Sequence, residues 1–315
     1  MARFVAVPTP ADLDAAAAVV AERLAPTPLL PAPALGADVH LKLETLQPTG
    51  SFKVRGGLAA LARAGRGPVV TASAGNAGLG IAWAATVLGV EATVVVSEAA
   101  SPAKVAALRA LPVTLVEHGA DYDAAEAHAL DLAVPGTTFV SAYNDTGVIA
   151  GQATIGRELE TQLAAPFTVV CPLGGGSLAS GLGLWAAGRD GVRVLAVEAE
   201  RSPAFGAALA AGAITPFEVG ETLADGLAGN LEAGAATFPL VRDHVDAVVQ
   251  VSEPEIEEAI RFLARAHGLV VEGAGAVAVA ALMTGRLARG DGALVLVVSG
   301  RNIALSRLAA VLASA

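Results

Sequence analysis

Residues 42–57 read KLETLQPTGSFKVRGG, and the rest of the chain is organised around this stretch. Residues 38–44 lead into it with alternating apolar and polar side chains, which is typical of a short strand. Residues 54–64 follow and predict a helix. Pro48 and Gly50 favour a turn between the two, because Pro restricts φ and Gly permits a positive φ. The stretch therefore predicts a strand, a turn and a helix in immediate succession.

Lys53 lies at an unusual place in this unit. Ser51 is a suitable N-cap, so Lys53 falls in the first helical turn, where partial positive charge disfavours an ammonium group. The same field favours the neutral amine, which is the nucleophilic form of lysine. The chain has only three lysines against seventeen arginines. An ordinary solvated lysine would satisfy the same local pattern, so these residues alone leave both interpretations open.

The segment also resembles a known family. Residues 47–56 read QPTGSFKVRG, which is similar to the cofactor-lysine segment of pyridoxal-phosphate (PLP) enzymes with the tryptophan-synthase-β fold, or fold type II. Within these enzymes the segment is most similar to that of the threonine/serine dehydratase and serine racemase family. The resemblance implies that Lys53 carries PLP covalently and is the catalytic residue, with Phe52 beside the cofactor.

Composition narrows the classes of protein that the chain can belong to. Its 315 residues are 54% hydrophobic and 16% charged, which indicates a globular chain with a large core. The net charge is −10 and basic residues form no run, so a nucleic-acid partner is not expected. No apolar run reaches about 18 residues, so no membrane span is expected either. The single cysteine, Cys171, excludes an internal disulfide and fits a reducing cytoplasm.

Predicted strands and helices alternate along the chain, which indicates an α/β fold with mostly parallel sheets. They include a strand over 137–143 and one helix over 148–163. The resemblance implies two three-layer α/β domains, a large PLP-binding domain and a small domain; the large one comprises residues 1–67 and 148–315, and the small one residues 68–147. Ligands bind at the carboxyl ends of strands in such folds. We therefore expect the loops that follow three predicted strands to share one site: residues 73–76, 172–177 and 299–302.

The run Gly174-Gly175-Gly176-Ser177 lies between a predicted strand and a predicted helix. Backbone without Cβ atoms can wrap an anion, and a helix N-terminus supplies N–H groups and partial positive charge. The pattern therefore favours a phosphate site over a plain tight turn. The resemblance implies that these four residues and Leu178 bind the phosphate of PLP, with Ser177 in place of a fourth glycine.

The run Ser73-Ala74-Gly75-Asn76 resembles the family loop that holds the substrate carboxylate, with Asn76 also at the phenolic oxygen of PLP. Racemases of the family carry a serine at the position of Ala74, and that serine is the acid/base on the second face of the substrate. Because Ala74 has no exchangeable proton, the resemblance implies elimination without efficient racemisation.

Further segments of the family recur in chain order. The resemblance implies that Glu272 lies near the cofactor and that the hydroxyl of Ser299 pairs with the pyridine nitrogen. It assigns Gln152 and Gly226 to the substrate side of the site.

Glu198 raises the question of a metal ion. Racemase relatives bind Mg²⁺ or Ca²⁺ through a Glu at the end of the matching strand and an Asp six residues later, but position 204 here is Ala. One carboxylate is a poor substitute for two when a hard cation is bound. We therefore expect no strong metal site, and Glu198 is at most a weak ligand.

Two other functions fit parts of the sequence. Residues 174–179 follow the pattern G-x-G-x-x-A after a strand, and Glu198 stands about twenty residues on, as in NAD-dependent dehydrogenases. Residues 273–278 satisfy the same pattern, which makes it a weak signal. A non-catalytic ligand sensor on the same fold is the other alternative. Neither function accounts for Lys53.

The sequence therefore predicts a PLP-dependent ammonia-lyase that performs β-elimination on a β-hydroxy amino acid. L-Threonine, L-serine, 3-hydroxyaspartate and phenylserine all stay open as substrates. The resemblance also implies a cytoplasmic homodimer with a small-molecule substrate and no nucleic-acid or membrane partner.

Overall fold

The computed structural model describes residues 3–288 and 290–314. The strands are, in chain order, β1 (Leu29–Pro31), β2 (Val39–Leu43), β3 (Val69–Ala72), β4 (Ala92–Val96), β5 (Thr114–Glu117), β6 (Thr138–Phe139), β7 (Phe167–Pro172), β8 (Val192–Ala199), β9 (Ala247–Val251) and β10 (Ala293–Val298). The helices are α1 (Pro10–Arg23), α2 (Lys53–Ala64), α3 (Asn76–Leu88), α4 (Pro102–Arg109), α5 (Tyr122–Asp131), α6 (Thr146–Gln152), α7 (Thr154–Gln162), α8 (Ser177–Ala186), α9 (Ala204–Ala211), α10 (Thr237–His244), α11 (Glu253–His267), α12 (Gly273–Met283) and α13 (Leu305–Ala313).

The chain divides into two compact units at points that differ from the predicted domain boundaries. Unit 1 comprises Met1–Phe4, Pro26–Leu46 and Ile155–Ala315; unit 2 comprises Val5–Ala25 and Gln47–Thr154. Helix α2 belongs to unit 2 by packing, since it lies tightly against α3 and α6. The predicted division into a cofactor-binding domain and a small domain stays a prediction, because packing alone defines the two units.

Unit 1 is built on a six-stranded sheet with the order β1-β2-β10-β7-β8-β9. Strand β1 pairs antiparallel with β2, and the other pairs are parallel. Strand β7 is buried throughout, as expected for a parallel strand that is covered on both faces. Because β7 and β10 are parallel neighbours, the loops that follow them lie at the same edge of the sheet.

Unit 2 contains a four-stranded parallel sheet with the order β5-β4-β3-β6. One core cluster includes Val54 and Leu58 of α2 together with Ile81 of α3 and Val69 of β3. The lysine helix is therefore part of the packed core of this unit. Strand β3 is buried along its whole length, and residues 73–76 follow at its carboxyl end.

The prediction of an α/β fold with mostly parallel sheets is confirmed. The predicted strand over 137–143 was too long, because the Ser141 hydroxyl accepts the N–H groups of Tyr143 and Asn144 and turns the chain there. The predicted helix over 148–163 is two helices, and the Thr154 hydroxyl donates to a carbonyl of α6 at the break.

Helices α9, α10 and α13 lie outside the predicted elements. Across the described ranges, none of the helices combines the length and apolar character needed to span a membrane.

Candidate active site

Lys53 is the first residue of α2, as the turn before it predicts. The predicted N-cap was wrong, because Phe52 already has helical backbone angles and occupies the cap position. The Ser51 hydroxyl is buried instead, with no hydrogen-bond partner in the part of the chain that the structure describes. Lys53 Nζ donates to the carbonyl oxygen of Ala142 at 2.8 Å. The side chain is partly buried, and the lost solvation lowers the pKa of Lys53 to about 8. A substantial share of this amine is therefore neutral near physiological pH.

Helices α2 and α3 approach each other closely near Lys53. A Cβ atom on Gly80 would lie 2.8 Å from the Lys53 carbonyl, and one on Gly57 would lie 2.6 Å from the Gly80 oxygen. Only glycine permits this distance between the two backbones. Since Asn76 begins α3, this contact places Lys53 about one helical turn from the loop that resembles a carboxylate-binding loop.

The loop before α3 is held by its own hydrogen bonds. The Ser73 hydroxyl accepts the N–H of Gly75 at 3.2 Å, so this side chain is used within the loop. Ala74 between them is partly buried and carries no polar group. Unit 2 therefore brings Lys53, Asn76 and the predicted carboxylate loop together.

Gln152, which the resemblance assigns to the substrate side of the site, has no exposed surface. It is fully buried in α6, and its amide nitrogen lies where a Cβ on Gly56 would be. Neither amide atom has a hydrogen-bond partner among the described residues. Its predicted substrate-binding role stays a prediction.

In unit 1 the glycine run forms a tight bend before α8. Gly176 has φ +91°, and a Cβ there would lie 2.5 Å from Phe205 Cζ and 2.9 Å from Thr237 Cβ. A Cβ on Gly174 would lie 2.8 Å from the Leu227 Cα atom. Side chains at these positions would fill the bend. The first N–H groups of α8 have no intrahelical acceptor, so the bend can bind an anion through the backbone at Ser177 and the next residue, Leu178.

The other predicted residues of unit 1 lie around Ala274 and this bend. The Ser299 hydroxyl is buried at the end of β10, 3.4 Å from the Ala274 oxygen. Glu272 is the cap residue of α12, and its N–H donates to the Gly300 oxygen at 3.1 Å. Gly226 lies beside Ala274 and beside the bend. A Cβ added to Gly226 would lie 3.3 Å from Ala274 Cβ, and a Cβ added to Gly174 would lie 3.3 Å from the Gly226 oxygen.

Glu198 is the last residue but one of strand β8 and is fully buried. Its carboxylate accepts the N–H of Phe205 at 2.7 Å and the N–H of Gly206 at 2.9 Å, and it also bonds the side chain of Gln250. Burial raises the pKa of Glu198 to about 7, because lost solvation outweighs these three hydrogen bonds. A carboxylate that is engaged in this way is not available to a ribose hydroxyl, which removes the main support for the dehydrogenase alternative.

Between residues 3 and 288 and from 290 to 314, no three or more His, Cys, Asp or Glu side chains are grouped to hold a metal ion. The expectation about metal binding stays a prediction that chelators would test.

Three residues of these surroundings were not predicted from the sequence: Ala142, Phe205 and Thr237. The acceptor of Lys53 is the backbone of Ala142, which leaves no trace in the side-chain pattern. Phe205 and Thr237 pack on Gly176 from helices that were not predicted. Pro239, in the first turn of α10, is a helix-start signal that could have identified this segment.

These residues fit PLP chemically. Unit 1 offers a bend of glycines with no room for side chains, which suits a phosphate. Unit 2 offers a lysine whose amine is easily neutral, which suits a covalent bond to an aldehyde.

Comparison with known proteins agrees with this fit. The family described as "Pyridoxal-phosphate dependent enzyme" matches residues 20–300. An L-threonine ammonia-lyase of Geobacter sulfurreducens is 40% identical over 289 residues, which cover 88% of this chain and 70% of that protein.

Solved structures give the same result. Maize serine racemase superposes with a TM-score of 0.89 at 26% identity, covering 98% of each chain. The processed form of threonine deaminase isoform 2 from Solanum lycopersicum superposes with a TM-score of 0.87 at 28% identity, covering 99% of this chain and 95% of that one. The chain therefore belongs to the family of pyridoxal-phosphate dependent enzymes and has the predicted fold type II.

Proposed function

We propose that this protein is an ammonia-lyase of the threonine/serine dehydratase type, which converts a β-hydroxy amino acid to a 2-oxo acid and ammonia. The observation that carries the proposal is the partly buried Lys53, whose lowered pKa suits an amine that exchanges protons near neutral pH. The predicted reaction type is confirmed by the relative named L-threonine ammonia-lyase, at 40% identity over most of the chain.

The cofactor of this family supplies one element of the chemistry: when bound, PLP withdraws electrons from Cα of the amino acid, so that its proton can be removed. In our proposal the backbone of Gly174–Leu178 holds the cofactor phosphate. The Ser299 hydroxyl would pair with the pyridine nitrogen, and Lys53 would bear the covalent link. A hydroxyl at this position, unlike a carboxylate, would leave the ring nitrogen largely neutral. A neutral ring withdraws electrons less strongly, which suits elimination better than reactions that need a long-lived carbanion. Glu272 and Phe52 border the cofactor.

The substrate carboxylate would be held by the loop of Ser73, Ala74, Gly75 and Asn76, near the start of α3. Gln152 and Gly226 remain the proposed flanking contacts.

The proton steps use groups of this chain. The amine of the incoming substrate would first displace Lys53 from its covalent link, and the freed Lys53 Nζ would then accept the proton from Cα of the bound amino acid. The C–O bond at Cβ then breaks, and the hydroxyl takes up the proton that Lys53 Nζ carries and leaves as water. The released enamine tautomerises to an imine and adds one water, which expels ammonia. The net change is loss of ammonia and formation of a 2-oxo acid, with no oxidant or reductant.

Racemisation is the competing reaction, because maize serine racemase shares this fold. Exchange on the second face needs a second proton donor, and Ala74 has none. We expect D-serine to form at least about 10²-fold more slowly than pyruvate when L-serine is incubated with the enzyme. Ala74→Ser should raise the D-serine share, whereas Ala74→Gly, the matched control, should not. D-serine formed by the wild type as fast as pyruvate would contradict the proposal.

A substrate panel tests the reaction itself. Purified enzyme is incubated with L-threonine, L-serine, 3-hydroxyaspartate and phenylserine, and the oxo acid and ammonia are measured in parallel. Equal amounts of the two products from at least one substrate are expected. Absence of oxo acid from all four would overturn the proposed function, and the preferred member would name the substrate.

The resemblance also supports a homodimer that acts in the cytoplasm, which we include in the proposal. The single cysteine is consistent with a reducing compartment. Sedimentation equilibrium of the purified protein would measure the state of assembly directly.

A further inference from the structure

The bend that would hold the phosphate is supported from behind by one aromatic ring. Gly176 has a left-handed backbone, and the space on its Cα is occupied by the ring of Phe205 and by Thr237. Phe205 is fully buried and is the second residue of α9. The position of α9 therefore determines how closely Gly176 is backed, and with it the conformation of the bend.

Helix α9 in turn is held by Glu198. Pro203 is the cap residue of α9 and offers no side-chain hydrogen bond, so the first N–H groups need another acceptor. The two carboxylate oxygens of Glu198 supply it, one to Phe205 and one to Gly206. A negative group at a helix N-terminus is also favoured by the helix dipole.

Gln250 completes the arrangement from the neighbouring strand. It stands directly opposite Glu198 in the parallel pair of β8 and β9, and its side chain bonds the carboxylate. Gly206 leaves room for both, since a Cβ there would lie 2.6 Å from Gln250 Nε2 and 3.0 Å from Glu198 Oε2. A continuous series of contacts therefore runs from Gln250 in β9 through the Glu198 carboxylate to α9, and from the Phe205 ring of α9 to Gly176.

From these contacts we infer that Glu198 is a positioning residue for the cofactor phosphate, acting through Phe205 on the backbone of Gly176. This inference rests on the proposed function in so far as the cofactor is PLP. It assigns to Glu198 neither a metal ion nor a contact with the cofactor. Its specific consequence is that Glu198 affects ligands that have a phosphate and leaves unaffected those that lack one.

The test compares PLP with pyridoxal, which has the same ring and aldehyde but no phosphate. Glu198→Gln keeps the size of the side chain but has only one oxygen to accept the two N–H groups of Phe205 and Gly206. We expect it to raise the Kd for PLP about tenfold, in line with leaving one buried N–H without an acceptor, and to leave the Kd for pyridoxal unchanged. Both constants are measured on cofactor-free protein by titration followed by absorbance.

A second variant and a matched control make the result decisive. Phe205→Leu removes the ring that backs Gly176 and should give the same selective loss, even if Glu198→Gln does not fold. Asp246→Asn is the control, because Asp246 also accepts a backbone N–H, that of Val194 near the other end of β8, at 2.8 Å, but lies away from α9. It should change neither Kd.

Equal weakening of PLP and pyridoxal in both variants, or no weakening of either, would overturn the inference. Failure of the wild-type protein to bind PLP would instead overturn the proposed function.

Discussion

Two lysines of the same stretch, residues 42–57, lie in opposite chemical environments. Lys42 in β2 is completely buried, and its Nζ donates to the Thr27 oxygen at 2.8 Å, to Gln162 at 2.9 Å and to the Glu158 carboxylate at 2.5 Å. Lys53 at the start of α2 is only partly buried, and its Nζ donates to a neutral backbone carbonyl.

The difference shows that burial by itself does not identify a reactive lysine. The more buried of the two, Lys42, has the Glu158 carboxylate within ion-pair distance. The less buried one has lost solvation without gaining an anionic acceptor in its observed hydrogen bond, and its pKa is lowered to about 8. The acceptor therefore distinguishes the two amines, since that of Lys42 is a carboxylate and that of Lys53 is a neutral carbonyl.

The largest expected effect comes from Lys53→Ala. The variant should lose the visible absorbance of bound cofactor, and turnover should fall about 10³-fold or more, because the covalent link and the proposed base disappear together. Circular dichroism and the unfolding midpoint should show a folded protein. Turnover retained in this variant would remove Lys53 from the proposed mechanism.

The matching change at the other lysine should act on stability instead. Lys42→Met leaves the Glu158 carboxylate without its ion-pair partner, so the free energy of unfolding should fall by about 3 kcal/mol. Urea unfolding measures this loss, and Lys42→Met combined with Glu158→Leu should recover part of it. The variant that remains folded should keep its cofactor absorbance. A loss of absorbance in the folded protein would give Lys42 a role at the active site.

A smaller effect concerns pH. An amine reacts with an electrophile only when neutral, and a lowered pKa means that Lys53 stays neutral down to lower pH than an ordinary lysine. In cofactor-free protein, the rate of labelling of Lys53 by trinitrobenzenesulfonate should rise with a midpoint near pH 8, the value that its pKa sets.

Mass spectrometry of the labelled peptides separates the two lysines in one experiment. Lys42 has no exposed surface and should stay unlabelled as long as the protein is folded. A midpoint for Lys53 near the ordinary lysine pKa of about 10.4 would show that desolvation does not act on this amine.

Much of the fold was predictable because its signals are local. Alternating strands and helices, the turn at Pro48 and Gly50, and the glycine run before α8 are properties of neighbouring residues. The predictions failed where a side chain reached back to the backbone. The Ser141 hydroxyl ended β6 early, and the Thr154 hydroxyl accompanies the break between α6 and α7.

The candidate site divides in the same way. Residue type and spacing in the sequence were enough to predict Lys53, Asn76 and the glycine run as site residues. The sequence also drew attention to Glu198, but it did not predict the contact with α9. Glu198 accepts two backbone N–H groups of that helix, and the helix itself was not predicted.

The sequence by itself was enough to predict the family and the α/β class, because both depend on residue types at short spacing, and its resemblance to the family made Lys53 the candidate cofactor lysine. Only the tertiary structure decided that Lys53 donates to the Ala142 carbonyl and that Phe205 backs Gly176. Backbone groups are the same in every residue, so their contacts leave no mark in a sequence. They exist only once distant segments have packed, and they fix the acceptor of the Lys53 amine and the support behind the bend.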